Sequence, residues 1–353
     1  MTVKETLISS QEQQKPWIET PLKESYGLSK EAGCRVFLKL ENLQPSGSFK
    51  SRGIGHYIQR RLTELPSSPA PHIFSSSGGN AGLAAVHASR TLNLPCTVVV
   101  PLSTKPHMIE KLKAAGAYEV VQQGPTWADA DGYLRKEVMV KTPGPTIYVP
   151  PFDHPDIWTG NSTAIHETMT QLPPSCPHPT AIICSVGGGG LFNGVCEGIL
   201  NNKVLSSASP TTVLALETQG ADSLAKSLEK GELITLPGIT SQATSLGATQ
   251  VSKQTFDYAS TYLSSNNTTS KLAVKSLVLT DAEAALGVLQ LAEQERILAE
   301  LACGVNVAMC FDGRLEKAMG RKLEESEVVV IVLCGGSNVG VGMVEKWKTE
   351  FGL

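Results

Sequence analysis

Nine short runs of β-prone residues recur along the chain, with helical patterns between them. The runs are Val36–Leu40, His72–Ser76, Thr97–Pro101, Tyr118–Val121, Thr146–Val149, Ala181–Val186, Thr212–Glu217, Lys275–Leu279 and Val328–Cys334. Most are continuously apolar instead of alternating. That pattern predicts strands covered on both faces, as in parallel sheets flanked by helices. Of the intervening segments, Ala81–Leu92 is rich in Ala and Leu and stops before Pro95, and His107–Ala115 ends at Gly116, a C-cap residue. Thr280 to Glu283 forms a capping-box pattern that predicts a long helix through about Leu301. Strand and helix alternating over the whole length predict an α/β fold.

A chain of 353 residues exceeds what one hydrophobic core usually organises, so two domains are expected. The Pro-rich stretch Pro143–Pro155 is a candidate crossing between them, and Leu65–Pro71 is a second such stretch. Ser206–Pro210 and Ser264–Ser270 read as exposed polar loops. A net charge of −3 with no basic stripe argues against a nucleic-acid partner. No apolar run is long enough to span a membrane. Met1–Lys15 carries Glu5 and Glu12 and lacks an apolar core, so it reads as neither a secretory signal nor a transit peptide. The eight cysteines show no CxxC pair and no zinc-ligand spacing, and several lie inside apolar runs. Buried, reduced thiols in a cytoplasmic protein are the expectation.

Four segments carry residues suited to chemistry. Gly187, Gly188, Gly189 and Gly190 follow the strand Ala181–Val186 and precede Leu191 to Gly194. Successive glycines let the backbone approach an anion, and their N–H groups beside a helix start form a phosphate cradle. A flexible turn has the same composition, and the run matches neither the P-loop nor the dinucleotide fingerprint. Ser75 to Gly82 follows the second strand and opens a helix, where hydroxyls and free N–H groups bind carboxylates. Asn80 is also what a plain N-cap would be. Lys50 lies in a Ser/Gly loop between Phe49 and Arg52. A lysine acting as a Schiff base needs such a partly desolvated setting, although most lysines are solvated surface residues. Cys334 to Asn338 ends the last strong strand with a glycine turn, where α/β proteins place ligands.

Taken together, Leu40–Gly53, Ser76–Gly82, Gly187–Gly190 and Cys334–Asn338 stand in the order seen in fold-type-II pyridoxal-phosphate enzymes. The chain most closely resembles the L-serine dehydratase (serine/threonine ammonia-lyase) family, from about Ile18 to Phe351. The resemblance implies two open, twisted, mostly parallel sheets flanked by helices. It implies a large domain of residues 1–43 and 156–353 and a small domain of residues 44–155, with the cofactor and active site in the cleft between them. Lys50 matches the catalytic lysine that carries pyridoxal 5'-phosphate. Phe49 matches the residue packed against the cofactor ring, Gly187 to Gly190 the phosphate cradle, and Cys334 the residue facing the pyridine nitrogen. Ser77, Gly79 and Asn80 match the segment holding the substrate carboxylate, with Asn80 also toward the cofactor. Glu217, Ala221 and Ser223, with carbonyls near Leu246 and Ala248, match a stretch that holds a monovalent cation such as K+. A strand-end glutamate in a surface salt bridge is the plainer reading of Glu217.

The implied reaction is β-elimination of water from L-serine to pyruvate and ammonia, and from L-threonine to 2-oxobutanoate and ammonia. Family precedent also implies a homodimer. In related serine racemases a serine stands where this chain has Gly78, so racemisation lacks its second base here. About twenty residues follow Cys334, too few for the regulatory domain of biosynthetic threonine dehydratases. Ser51 stands where cysteine synthases usually have aspartate. Another fold-type-II enzyme (threonine synthase, a β-replacing synthase or serine racemase) is the alternative within the fold. A non-catalytic amino-acid-binding protein is the alternative of another class.

Overall fold

A computed structural model of the chain describes residues 14–66, 68–176, 178–203, 205, 210–263 and 270–353. The expected polar loops at 206–209 and 264–269, and the N-terminal stretch 1–13, lie outside the described residues. The chain opens with β1 (Leu22–Glu24), α1 (Tyr26–Ala32) and β2 (Arg35–Lys39). There follow α2 (Lys50–Glu64), β3 (His72–Ser75), α3 (Asn80–Thr91), β4 (Cys96–Val100), α4 (Pro106–Ala115), β5 (Glu119–Gln122), α5 (Trp127–Tyr133) and β6 (Thr146–Val149). Next come α6 (Pro155–Gln171), β7 (Ala181–Ser185), α7 (Gly190–Asn201), β8 (Thr211–Thr218), α8 (Ser223–Lys230), α9 (Lys253–Thr261) and β9 (Leu272–Leu279). The chain ends with α10 (Asp281–Glu295), α11 (Leu301–Val307), α12 (Arg314–Met319), β10 (Val328–Val332) and α13 (Val341–Phe351).

Contacts divide the chain into two compact units. One contains residues 14–18 and Lys50–Pro151, and the other Glu19–Phe49 and Phe152–Leu353. The first holds a four-stranded sheet in the order β5-β4-β3-β6, parallel throughout. The second holds a six-stranded sheet in the order β1-β2-β10-β7-β8-β9. All its pairs are parallel except β1 with β2. Every residue of β4, β7, β8 and β10 is buried, the burial that continuous apolar runs require. Edge strand β5 has no buried residue and shows no such cover.

Both sheets reverse direction at one point. In the small sheet β3, β4 and β5 run outward in order, and β6 lands on the other flank of β3. In the large sheet β7, β8 and β9 run outward, and β10 lands on the other flank of β7. Open α/β sheets bind ligands at the carboxyl ends of strands where the order reverses. The loops after β3 and β6, and after β7 and β10, are therefore the places to look.

Two expectations needed correction. Strand β1 has three residues with no apolar pattern and was not foreseen. The helix opening at Thr280 does form its capping box, but it stops at Glu295, where Arg296 turns left-handed (φ 61°). The chain then folds back as α11. A Cβ on Gly287 would stand 2.0 Å from the Gly304 carbonyl oxygen, and one on Gly304 would stand 2.2 Å from that of Ala284. The two helices pack backbone to backbone, so a straight helix through Leu301 would forfeit that contact. All eight cysteines are buried and free, as their apolar settings suggested.

Candidate active site

The first unit presents its candidates at the β3/β6 reversal. Lys50 begins α2, and its Nζ donates to the Pro151 carbonyl (3.1 Å) in the loop after β6. The loop after β3 runs from Ser76 to Gly79, and Asn80 is the first residue of α3. Gly79, not Asn80, is therefore the N-cap, which corrects the simpler reading of Asn80. Asn80 is buried, as are Ser75 and Ser76. The Gly79 N–H donates to Ser77 Oγ (3.3 Å), and Ser77 N–H to Ser75 Oγ (3.4 Å), so the loop is folded on itself. A Cβ on Gly82 would lie 1.8 Å from the Ser77 carbonyl oxygen. Only glycine lets the first turn of α3 close over that carbonyl. Ser77, Gly79 and Asn80 thus share one turn at the positive end of a helix.

Gly78 has close neighbours too. A Cβ there would stand 2.9 Å from Thr104 Cγ2 and 3.2 Å from Val100 Cγ1. The space that a serine side chain would need is filled by Thr104.

The second unit presents its candidates at the β7/β10 reversal. Gly187 to Gly190 join β7 to α7. Among the described residues, no hydrogen bond engages the N–H groups of these four glycines. Their other side is closed. A Cβ on Gly188 would meet the Phe152 ring at 2.4 Å, and one on Gly190 the Phe152 carbonyl at 2.8 Å. Gly189 has φ 92°, and a Cβ there would lie 1.8 Å from Thr255 Oγ1. Beneath the run, Ser252 N–H holds the Gly188 carbonyl (3.0 Å). Ser252, Thr255 and Asn193 bond one another at 2.8–3.0 Å. The glycines are a rigid seat with unengaged donors, which suits an anion better than a flexible turn does.

Cys334 is fully enclosed after β10. Ser185 Oγ, at the end of β7, donates to its sulfur (3.7 Å), and its own S–H reaches the Ala302 carbonyl (3.7 Å). A hydrogen bond with the Cys303 thiol, then burial, push the Cys334 thiol well above its ordinary value, so it stays protonated. Phe49 lies beside it, its N–H donating to the Cys334 carbonyl (3.1 Å), and Ser48 bridges Gly335. The structure thereby brings together Phe49 and Cys334, which lie far apart in sequence.

Glu217 ends up elsewhere than the surface. It is fully buried, and its two oxygens accept the N–H groups of Leu224 and Ala225, each at 2.8 Å. It caps α8, and burial pushes its carboxyl up to about 8. Ala221 and Ser223 follow within the same turn; the Ser223 carbonyl accepts from Ser227 Oγ (2.6 Å) and the Leu246 carbonyl from Ala248 N–H (2.7 Å). Among the described residues no cluster of three or more His, Cys, Asp or Glu could hold a metal.

Sequence reasoning missed Glu300. This buried carboxylate accepts from Ser245 Oγ and from the Asn338 N–H (2.6 Å), tying the loop against Gly187 to the loop after β10. No local pattern marks such a residue, because its partners lie roughly 40 to 55 positions away.

The first unit carries a lysine at its reversal, and the second unit carries an anion seat and a protonated thiol at its own. Fold and site together describe a cofactor-dependent α/β enzyme. The family model described as "Pyridoxal-phosphate dependent enzyme" matches residues 14–335, and the chain belongs to that family. It is 42% identical over 310 residues to an L-serine dehydratase of Saccharomyces cerevisiae (strain AWRI1631), covering 85% of this chain and 88% of that one. It is 39% identical over 348 residues to a human protein named "Serine dehydratase-like", covering 98% of each. Among solved structures, a fungal L-serine ammonia-lyase from Rhizomucor miehei superposes with a TM-score of 0.81 at 32% identity, covering 96% of this chain and all of that one. The residues fit pyridoxal phosphate. The glycine seat would take the phosphate, and a protonated thiol could donate to a neutral ring nitrogen.

Proposed function

We propose that this chain removes water from L-serine, giving pyruvate and ammonia, and from L-threonine, giving 2-oxobutanoate and ammonia. The observation that carries the reading is Cys334, a buried, protonated thiol at the β7/β10 reversal beside the glycine seat. The names of the matched relatives point the same way.

When bound, pyridoxal phosphate would supply an electron sink for the Cα–H bond of the amino acid. Gly187 to Gly190 would hold its phosphate, Phe49 would pack against its ring, Cys334 would face its nitrogen and Asn80 its hydroxyl side. Ser77, Gly79 and Asn80 hold the substrate carboxylate at the α3 N-terminus. Lys50 takes the Cα proton, and the β-hydroxyl leaves with a proton returned by Lys50. The Cys334 thiol, being neutral, would leave a bound ring nitrogen unprotonated. Reprotonation from the far face has no donor at Gly78, and Thr104 fills the space a serine there would use. That favours elimination over racemisation.

Glu217, Ala221 and Ser223 are proposed to lie at a K+ site, a reading supported by the tight turn after β8 that gathers them, where Thr218 bridges Ala221. A homodimer in the cytoplasm completes the proposal. Among the described residues, no helix is long and apolar enough to cross a membrane.

Lys50→Ala is expected to abolish the visible absorbance of lysine-linked cofactor and to cut keto-acid release from L-serine by at least about 10³-fold. Full activity in that variant would sink the assignment. The same assay in K+ and in Na+ salts, with light scattering for the dimer, tests the two remaining points. Equal rates in both salts would remove the cation.

A further inference from the structure

Ser76 precedes the carboxylate turn by one residue, and two side chains from other parts of the first unit meet at it, with a third behind them. Ser76 Oγ donates to Asp131 Oδ1 (2.7 Å), and Tyr148 OH donates to the same oxygen (2.7 Å). Asp131 Oδ2 pairs with Arg135 Nε (2.9 Å), one helical turn on. The Arg135 guanidinium lies over the Tyr148 ring, 3.8 Å from its centroid. Tyr148 is on β6, its backbone paired with Phe74 of β3, and Asp131 is on α5. Ala130 and Leu134 pack that helix segment against Phe74 and Val99. Burial, then the bond to Asp131, push the Tyr148 hydroxyl above its ordinary range, so it remains a donor.

Nothing in the elimination chemistry uses these groups. They lie at the β3/β6 reversal, directly behind Ser77. The Ser77 carbonyl is already pressed on by Gly82 from the α3 side. Ser76 anchored to Asp131 grips the turn from the strand side. A carboxylate-binding turn must have its donors aimed before the ligand arrives, because donors that must reorganise lose much of their worth. A bare Asp131 charge would also repel the incoming carboxylate; its pairing with Arg135 offsets that charge.

Building on the carboxylate role proposed for Ser77 and Asn80, we infer that Asp131 and Tyr148 are positioning residues for substrate. Acting through Ser76, they aim the Ser77–Asn80 turn at the amino-acid carboxylate, with Arg135 balancing the Asp131 charge. They touch neither the substrate nor the cofactor, so their removal weakens substrate binding while leaving cofactor binding and proton abstraction largely intact.

The test uses holoenzyme and glycine, which offers the same carboxylate and amine but has no β-hydroxyl to lose. The Kd for glycine is read from the change in cofactor absorbance, alongside KM and kcat for L-serine. Asp131→Ala is expected to raise the glycine Kd and the serine KM about tenfold, with kcat within about threefold and cofactor affinity unchanged. Asp131→Asn keeps the Oδ1 acceptor and should restore most of the affinity. Ser76→Ala should weaken glycine binding similarly, and Ser76→Ala with Asp131→Ala should be no worse than either alone, because one linkage is broken once. Should Asp131→Ala not fold, Ser76→Ala and Tyr148→Phe carry the test. Unchanged glycine affinity in both, or multiplicative effects in the double variant, would overturn the inference. Absence of keto acid from L-serine in the wild type would instead overturn the proposed reaction, and the glycine ratios would still decide the positioning role.

Discussion

Glycine does two separate jobs around the site. Gly189 sits at φ 92° with its Cα against Thr255, so an alanine there meets both backbone strain and a filled space. Gly189→Ala should cost about 2–4 kcal/mol of stability and weaken pyridoxal phosphate binding at least tenfold. Urea unfolding and cofactor titration check the two halves, and an unchanged cofactor Kd would mean that the seat is not where the phosphate binds. Gly82 does the second job, letting a helix turn close over a neighbouring carbonyl without needing a positive φ. The sequence displays both as simple glycines. Which is which depends on what lies opposite, and Thr255 is 66 positions from Gly189.

Helices and strands were legible to within a residue or two where burial was complete, as in β4, β7 and β10. Where packing overrode local propensity, legibility failed. The segment after Thr280 keeps its helical pattern past Glu295, yet α10 ends there so that α11 can return along it through Gly287 and Gly304. Gly304→Ala would push its Cβ into the Ala284 carbonyl of α10, and is expected to destabilise by about 2 kcal/mol or more. A thermal melt within a degree of wild type would show that the crossing can relax. Glu217 belongs to this scale as well. Its strand-end position suggested either a cation or a surface ion pair, while its observed work is to cap α8 from β8.

At the scale of the molecule, acid sensitivity has an identifiable contributor. Glu327 accepts two bonds from Arg321 (2.6 and 2.7 Å) and one from the Glu324 N–H. Chiefly the Arg321 bonds lower its carboxyl from 4.5 to about 2. A carboxyl held below its unfolded value contributes stability that is complete above pH 4.5 and lost as pH falls toward 2. Glu327→Gln should lower the urea midpoint at pH 6 and flatten the decline between pH 4.5 and 2. An identical acid slope in both proteins would assign that decline to other groups.

The chain by itself determined the class of architecture, because continuous apolar strands alternating with helices have few solutions other than parallel α/β sheets. It also marked the segments to which the chemistry is proposed to belong, since Lys50, the glycine run and Cys334 each sit in a local pattern and stand in a recognisable order. Tertiary structure alone decided what surrounds them. Each reversal of strand order gathered the loops of its own unit, Cys303 and burial kept Cys334 protonated, and Thr104 closed the space beside Gly78. Asp131 came under Ser76 across 55 positions. Such partnerships leave no local trace, because the energy of a hydrogen bond or a close contact depends on distance in space and not on separation along the chain.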